Sequence, residues 1–230
     1  MDLTLELVAS TLRTIADPGP LASSASMDDG DYEAIANRLM ADAEGPIEVF
    51  AYGSLLWKPA FQPSTEAPAV ARGWHRAFRL RLTRWRGTPE RPGLMMVLDR
   101  GGSCRGILQR LPETELRPGL LALLRREISS RTSSNLPRWI SVESGGQTRR
   151  AIAFCARRDG PAYTGPLPDH EVADVLATAV GHAGSCAEYL YRTVESLERR
   201  GIRDGRLWSL QAMVARRIAA GSLMERGTER

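Results

Sequence analysis

Two hydrophobic periods occur in a fixed order along this chain, and that order constrains its fold more than any other feature. From Ile47 to Arg157 the apolar residues alternate with polar ones or cluster in short runs, while from Asp169 onward they recur at helical spacing. A period of two places successive side chains on opposite faces of a strand, and a period near 3.6 gathers them on one stripe of a helix. Strands first and helices last predict an α+β protein. Its sheet is expected to be mixed but mainly antiparallel, able to close into a barrel, with helices packed on it.

The elements follow from the pattern. Ile47–Tyr52 is a β-type run that breaks at Gly53. Phe78, Leu80 and Leu82 alternate with basic residues, as on a half-exposed strand. Two apolar runs flank Gly101-Gly102 and two more flank Gly145-Gly146, and each arrangement predicts a hairpin. Between them, Pro118–Ser129 is predicted helical, with Pro118 tolerated in the first turn. Two helices are expected from Asp169 to about Arg200, interrupted by Gly181-His182-Ala183-Gly184, and a further one from Asp204 to Ala220. Trp57, Trp74, Trp85 and Trp139 lie on or beside the predicted strands and are expected mostly in the core. Residues 1–44 read as an N-terminal helical arm and linker. Leu5, Val8, Leu12 and Ile15 have helical spacing up to Pro18-Gly19-Pro20, Ser23–Ser26 reads as linker, and Asp31–Ala41 as a second short helix. The expected divisions are therefore 1–44, a main domain at 45–222 and a tail at 223–230.

Composition removes several classes of protein. At 43% hydrophobic and 25% charged, the 230-residue chain matches ordinary globular usage. The longest apolar runs, such as Leu120–Leu124, are too short to cross a bilayer. Asp2 and Glu6 stand where a secretory signal carries positive charge, so a cytoplasmic location is expected. The net charge is +4, and Lys58 is the only lysine among 31 basic residues. The arginines are interspersed with acids, and no recognition-helix, zinc-finger or RNP pattern occurs, so no nucleic-acid partner is expected. Cys104, Cys155 and Cys186 are odd in number and far apart, which excludes a full disulfide framework and any CxxC clip. His75, His170 and His182 lack ligand spacing, so no metal is expected.

Two local features carry chemistry. The first is Ala51-Tyr52-Gly53-Ser54-Leu55-Leu56, where a strand runs directly into a Gly-Ser-Leu turn. Gly53 is free to take backbone angles closed to other residues. Successive N–H groups in such a turn cradle an anion such as a carboxylate, and the Ser54 hydroxyl both donates and accepts. The run lacks the GxSxG of a nucleophile elbow and the Lys-Ser/Thr pair of a P-loop. The second feature is Glu127. On a helix, Leu120, Leu123, Leu124 and Glu127 fall at i, i+3, i+4 and i+7, while Arg125 and Arg126 point elsewhere. Two readings follow. Either Glu127 loses hydration on an apolar face and its pKa rises, as a proton shuttle near neutral pH requires, or it reaches water at the helix end and pairs with an arginine.

The full string Val49-Phe50-Ala51-Tyr52-Gly53-Ser54-Leu55-Leu56-Trp57 resembles the opening of the ChaC family of γ-glutamylcyclotransferases. The resemblance continues in order through Arg86-Gly87-Thr88-Pro89-Glu90-Arg91-Pro92-Gly93, Gly106-Ile107-Leu108, Arg126-Glu127, Tyr163-Thr164-Gly165-Pro166 and Glu188-Tyr189-Leu190, and covers about residues 47 to 217. The chain departs from the family pattern at Ile128–Thr132, where many members carry Gly-Gly-Tyr-Arg, and at Gly181–Gly184, where Gly-Pro-Ser-Gly is usual.

That resemblance implies a lyase acting on glutathione, without cofactor or metal. The substrate's α-amine attacks its own γ-carbonyl, releasing 5-oxoproline and cysteinylglycine. It further implies Glu127 as general acid/base and Ala51, Tyr52, Gly53, Ser54, Leu55 and Leu56 as the substrate loop. Tyr163 is expected to hydrogen-bond Glu127 or the substrate. Arg72, Arg84 and Arg86 are candidates for the glycine carboxylate of glutathione, or else form a solvated strand face. The alternatives are the same cyclisation on other γ-glutamyl compounds, or a silent binding module on the same scaffold. The oligomeric state is left open.

Overall fold

The computed structural model describes residues 1–19 and 25–228. Pro20, Ser23 and Ser24 of the expected break and linker, and Glu229-Arg230 of the expected tail, lie outside the described residues. In chain order the elements are α1 (Leu5–Thr11), α2 (Asp29–Ala41), β1 (Glu48–Ala51), β2 (Thr65–Leu82), β3 (Gly93–Arg110), α3 (Leu116–Glu127), β4 (Asn135–Ser144), β5 (Gln147–Ala156), α4 (Asp169–Thr178), β6 (Val180–Gly181), β7 (Gly184–Ser185), α5 (Cys186–Arg199) and α6 (Gly205–Thr228). They gather into two compact units. One comprises Met1–Gly19, Phe78–Met95 and Thr164–Arg230, and the other Pro20–Ala77 and Met96–Tyr163, so the boundary falls within β2 and β3.

The expected α+β class and closed sheet are present. Five strands close a barrel in the order β1-β3-β2-β4-β5, with β3 also pairing β5. The pairs β1–β3, β2–β4 and β4–β5 are antiparallel, and the short contacts of β5 with β1 and β3 are parallel. Phe50, Leu98, Leu108, Ile152 and Phe154 are fully buried. The expected turn at Gly145-Gly146 joins β4 to β5 in register from Ser144↔Gln147 to Asn135↔Ala156. Both glycines have positive φ (58° and 76°), the geometry a two-residue hairpin turn demands.

Four sequence expectations require correction. The apolar runs around Gly101-Gly102 do not form a hairpin. They belong to one 18-residue strand, β3, in which these glycines take φ of 106° and 70°. Positive φ within a strand bends it without ending it. Trp85 is 43% exposed instead of lying in the core. The first helix ends at Thr11 because Leu12 turns extended (φ −73°, ψ 135°). At the other end of the chain, α6 continues past Ala220 to Thr228.

Within the first unit, α1 is fastened to the late helices. The Leu3 N–H donates to Gln211 Oε1 at 2.7 Å, and Thr11 Oγ1 donates to Ser185 Oγ at 2.9 Å. Within the second, α2 is held by a reciprocal cap between Asp28 and Asp31. It packs on α3, where Tyr32 Oη donates to the Ile128 carbonyl at 2.8 Å. Ala25 accepts from the Arg131 N–H, and Ser26 bridges Ser130. These contacts fix the chain where it leaves α3. Among the described residues, no helix is long and apolar enough to cross a membrane.

Candidate active site

Three segments of the barrel unit converge: the chain leaving β1, the C-terminal turn of α3 and the first residue of β4. The strand β1 is buried along its whole length and registers Phe50 against Leu108 and Ala51 against Ile107. Past Ala51 it turns into a single 3₁₀ turn over Ser54–Leu56. The Leu56 N–H is committed to the Gly53 carbonyl at 3.0 Å, and the Lys58 N–H to the Ser54 carbonyl at 2.8 Å. Ala51, Leu55 and Leu56 bury their side chains, so the turn is anchored by apolar contacts. Tyr52 is also buried, and its hydroxyl donates to the Phe154 carbonyl of β5 at 2.6 Å. Gly53 has φ −137° and ψ −127°, so the turn does not use the positive-φ freedom of glycine.

Glu127 is the last residue of α3, and its side chain is 13% exposed. Both expected features coexist. The stripe Leu120, Leu123 and Leu124 is fully buried, and desolvation raises the Glu127 carboxyl above its ordinary range. The negative end of the α3 dipole acts in the same direction. Two neighbours oppose the rise: Arg126 by its charge and Asn135 by its hydrogen bond.

Arg126 is the group that the helical period misplaces. It does not point away from the site: Nη2 donates to Ser54 Oγ at 3.0 Å, and Nε lies 3.3 Å from Glu127 Oε1. One guanidinium therefore spans from the Gly-Ser turn to the buried acid. Period 3.6 assigns a Cβ direction, but a long arginine folds back from the helix rim, and no periodicity argument captures that. Asn135 is the second residue missed. Its Nδ2 lies 3.4 Å from Glu127 Oε2 and from the Glu127 carbonyl. A side-chain amide at the start of a strand, after Ser133-Ser134, reads in sequence as turn chemistry.

The remaining candidates have other partners. Tyr163 Oη donates to Asp99 Oδ2 at 2.8 Å, and the same buried carboxylate accepts from Arg158 Nε at 2.8 Å. The groups that act on the Glu127 carboxyl are Arg126 and Asn135, not Tyr163. Of the arginines considered for a substrate carboxylate, Arg72 pairs with Glu143 at 2.5 Å. Arg84 grips Asp17 through Nε and Nη2 at 2.7 and 2.6 Å, and Arg86 holds Glu188 at 2.9 Å. Each already has a carboxylate of the protein. Among the described residues, no three His, Cys, Asp or Glu side chains cluster closely enough to hold a metal ion.

The chain is similar to known proteins. A family model described as ChaC-like protein matches residues 47–217. The glutathione-specific γ-glutamylcyclotransferase of Escherichia coli (strain K12) is 37% identical over 177 residues, which is 76% of this chain and 76% of that protein. The glutathione-specific γ-glutamylcyclotransferase 1 of Mus musculus is 27% identical over 187 residues, 80% of this chain and 78% of that protein. A crystal structure of the glutathione-specific enzyme from yeast superposes with a TM-score of 0.68 at 21% identity, covering 75% of this chain and 97% of that one, and bears on the fold alone. A model match over most of the length, together with a relative above 30% identity, places the protein: this chain belongs to the ChaC-like family.

Proposed function

We propose that this protein is a γ-glutamylcyclotransferase that converts glutathione to 5-oxoproline and cysteinylglycine, with Glu127 as general acid and base. The observation that carries the reading is the bridge from Ser54 through Arg126 to Glu127, which sets a buried carboxyl of raised pKa against an N–H-bearing turn. The names of the Escherichia coli and mouse relatives point to the same chemistry.

The reaction needs a folded-back substrate and a group that moves protons. Ionised Glu127 takes a proton from the substrate's α-ammonium group. The freed amine attacks the γ-carbonyl carbon, and a five-membered ring closes on a tetrahedral centre whose oxygen carries the charge. Protonated Glu127 then returns the proton to the departing nitrogen as the old C–N bond breaks. The ring nitrogen, left with two hydrogens and a positive charge by the attack, gives its extra proton through Glu127 to the released amine, and Glu127 is ionised again. A carboxyl raised towards neutral pH serves both half-steps. The turn at Tyr52–Leu56 holds the γ-glutamyl head, and the Ser54 hydroxyl, oriented by Arg126, supplies a polar contact. Holding nitrogen and carbonyl at attack distance removes several kcal/mol of the barrier, on the order of known effective-molarity gains. N–H groups facing the developing oxyanion lower it further.

The substrate is a small molecule, and the cyclisation calls for no redox partner or group carrier. Incubation with a panel of γ-glutamyl compounds and assay of 5-oxoproline tests the reading. Release from glutathione in preference to γ-glutamyl amino acids is expected. Release from none of them overturns it.

A further inference from the structure

We propose that Asn135 is a substrate-binding residue: its Oδ1 joins the Glu127 carboxylate in accepting N–H bonds from the substrate's α-ammonium group. The inference rests on the cyclotransferase reading and names the atoms that receive the amine which that reading requires.

Asn135 is 3% exposed. Its amide meets Glu127 at two oxygens, the backbone carbonyl and Oε2, both at 3.4 Å. A backbone carbonyl only accepts, so the amide must turn its nitrogen towards Glu127. The orientation of Oδ1 follows from that. This oxygen is buried and meets no donor among the described residues. A buried acceptor without a donor destabilises the fold, and native structures leave few of them.

The neighbours identify the missing donor. Ionised Glu127 and Asn135 Oδ1 together offer only acceptors, and one of them carries negative charge. That pair suits a cationic group bearing several N–H bonds. On the other flank of Glu127, Arg126 Nη1 is buried and also lacks a partner among the described residues. It is a donor. Unmet acceptor and unmet donor therefore belong to the two residues that contact the two carboxyl oxygens of one acid, Oδ1 suited to an ammonium and Nη1 to a carboxylate. An α-amino-acid head presents both groups on a single carbon. A head lacking the amine would leave Oδ1 as unmet as it is without ligand.

The test compares L-glutamine with glutaramate, its counterpart without the amino group. Binding of each to the full chain is measured by calorimetry, which requires no turnover. The parent protein is expected to bind L-glutamine more tightly, and Asn135→Leu to reduce that preference about tenfold, the size of one hydrogen bond to a charged group. Asn135→Asp keeps an acceptor and is expected to keep the preference. If Asn135→Leu does not fold, as judged by circular dichroism, Asn135→Ala takes its place. An unchanged preference in the leucine or alanine variant overturns the inference, because Asn135 would then only orient Glu127. Loss of preference in Asn135→Asp overturns it as well. Failure of the parent protein to form 5-oxoproline is a separate result and counts against the cyclotransferase reading.

Discussion

On the proposed reading, Glu127 links proton uptake to folding as well as to chemistry. Its carboxyl holds a proton to higher pH in the folded chain than in the unfolded one, because burial penalises the charged form. Between the unfolded and folded values the native state binds more protons, so this group's contribution to stability falls as pH rises through that window. Glu127→Gln removes the loss. The variant is expected to be at least as stable as the parent near pH 8, with the difference closing as pH falls below the ordinary value of 4.5. Urea denaturation at a series of pH values measures this, and a variant destabilised only at high pH contradicts it. Arg126 acts in the opposite direction, because its charge lowers the Glu127 carboxyl. Arg126→Met should therefore move the acidic limb of the kcat–pH profile to higher pH, with the alkaline limb unchanged. A shift to lower pH is the contrary outcome. The place of Glu127 on the Leu120–Leu124 stripe was legible from period, which left two readings of its carboxyl open, and its proposed role came from the family resemblance. Arg126 and Asn135 were not legible. Their roles depend on where long or amide side chains reach across a gap, which spacing does not encode.

At the scale of elements, the site depends on how closely β3 approaches β1. A Cβ at Gly106 would stand 2.5 Å from the Ala51 carbonyl oxygen and 2.7 Å from the Phe50 ring. Neither can yield cheaply, since one is backbone and the other is a fully buried aromatic residue. Gly106→Ala is therefore expected to cost about 1–3 kcal/mol of stability. Because Ala51 leads directly into the Tyr52–Leu56 turn, it should also lower kcat more than overpacking at a distant strand would. Thermal melts and initial rates on the purified variant check both, and parental values for both would contradict the account. Legibility varied between elements for a physical reason. The β4–β5 turn was visible because two glycines between matched runs demand positive φ. The same signal at Gly101-Gly102 misled, because positive φ also bends a strand that continues, and only the partner strand decides between the two.

Over the whole molecule, the order of strands and then helices was enough to give the class and a mainly antiparallel sheet able to close. It was not enough to give the two units, each of which gathers segments far apart in sequence. Contacts such as Leu3 with Gln211 span most of the chain, and no local pattern announces them. The arginine-rich composition is resolved locally: Arg72, Arg84, Arg117, Arg125, Arg131 and Arg206 each face a carboxylate of the protein. Surface pairs of this kind add little to stability. The proposed chemistry rests on a few side chains around one acid. The most direct measurement is the initial rate of 5-oxoproline formation from glutathione by the parent chain and by Glu127→Gln, at matched fold content. The account predicts steady release by the parent and none above background by the glutamine variant, which keeps the shape of the side chain and loses its basicity. Comparable rates from the two proteins would contradict it.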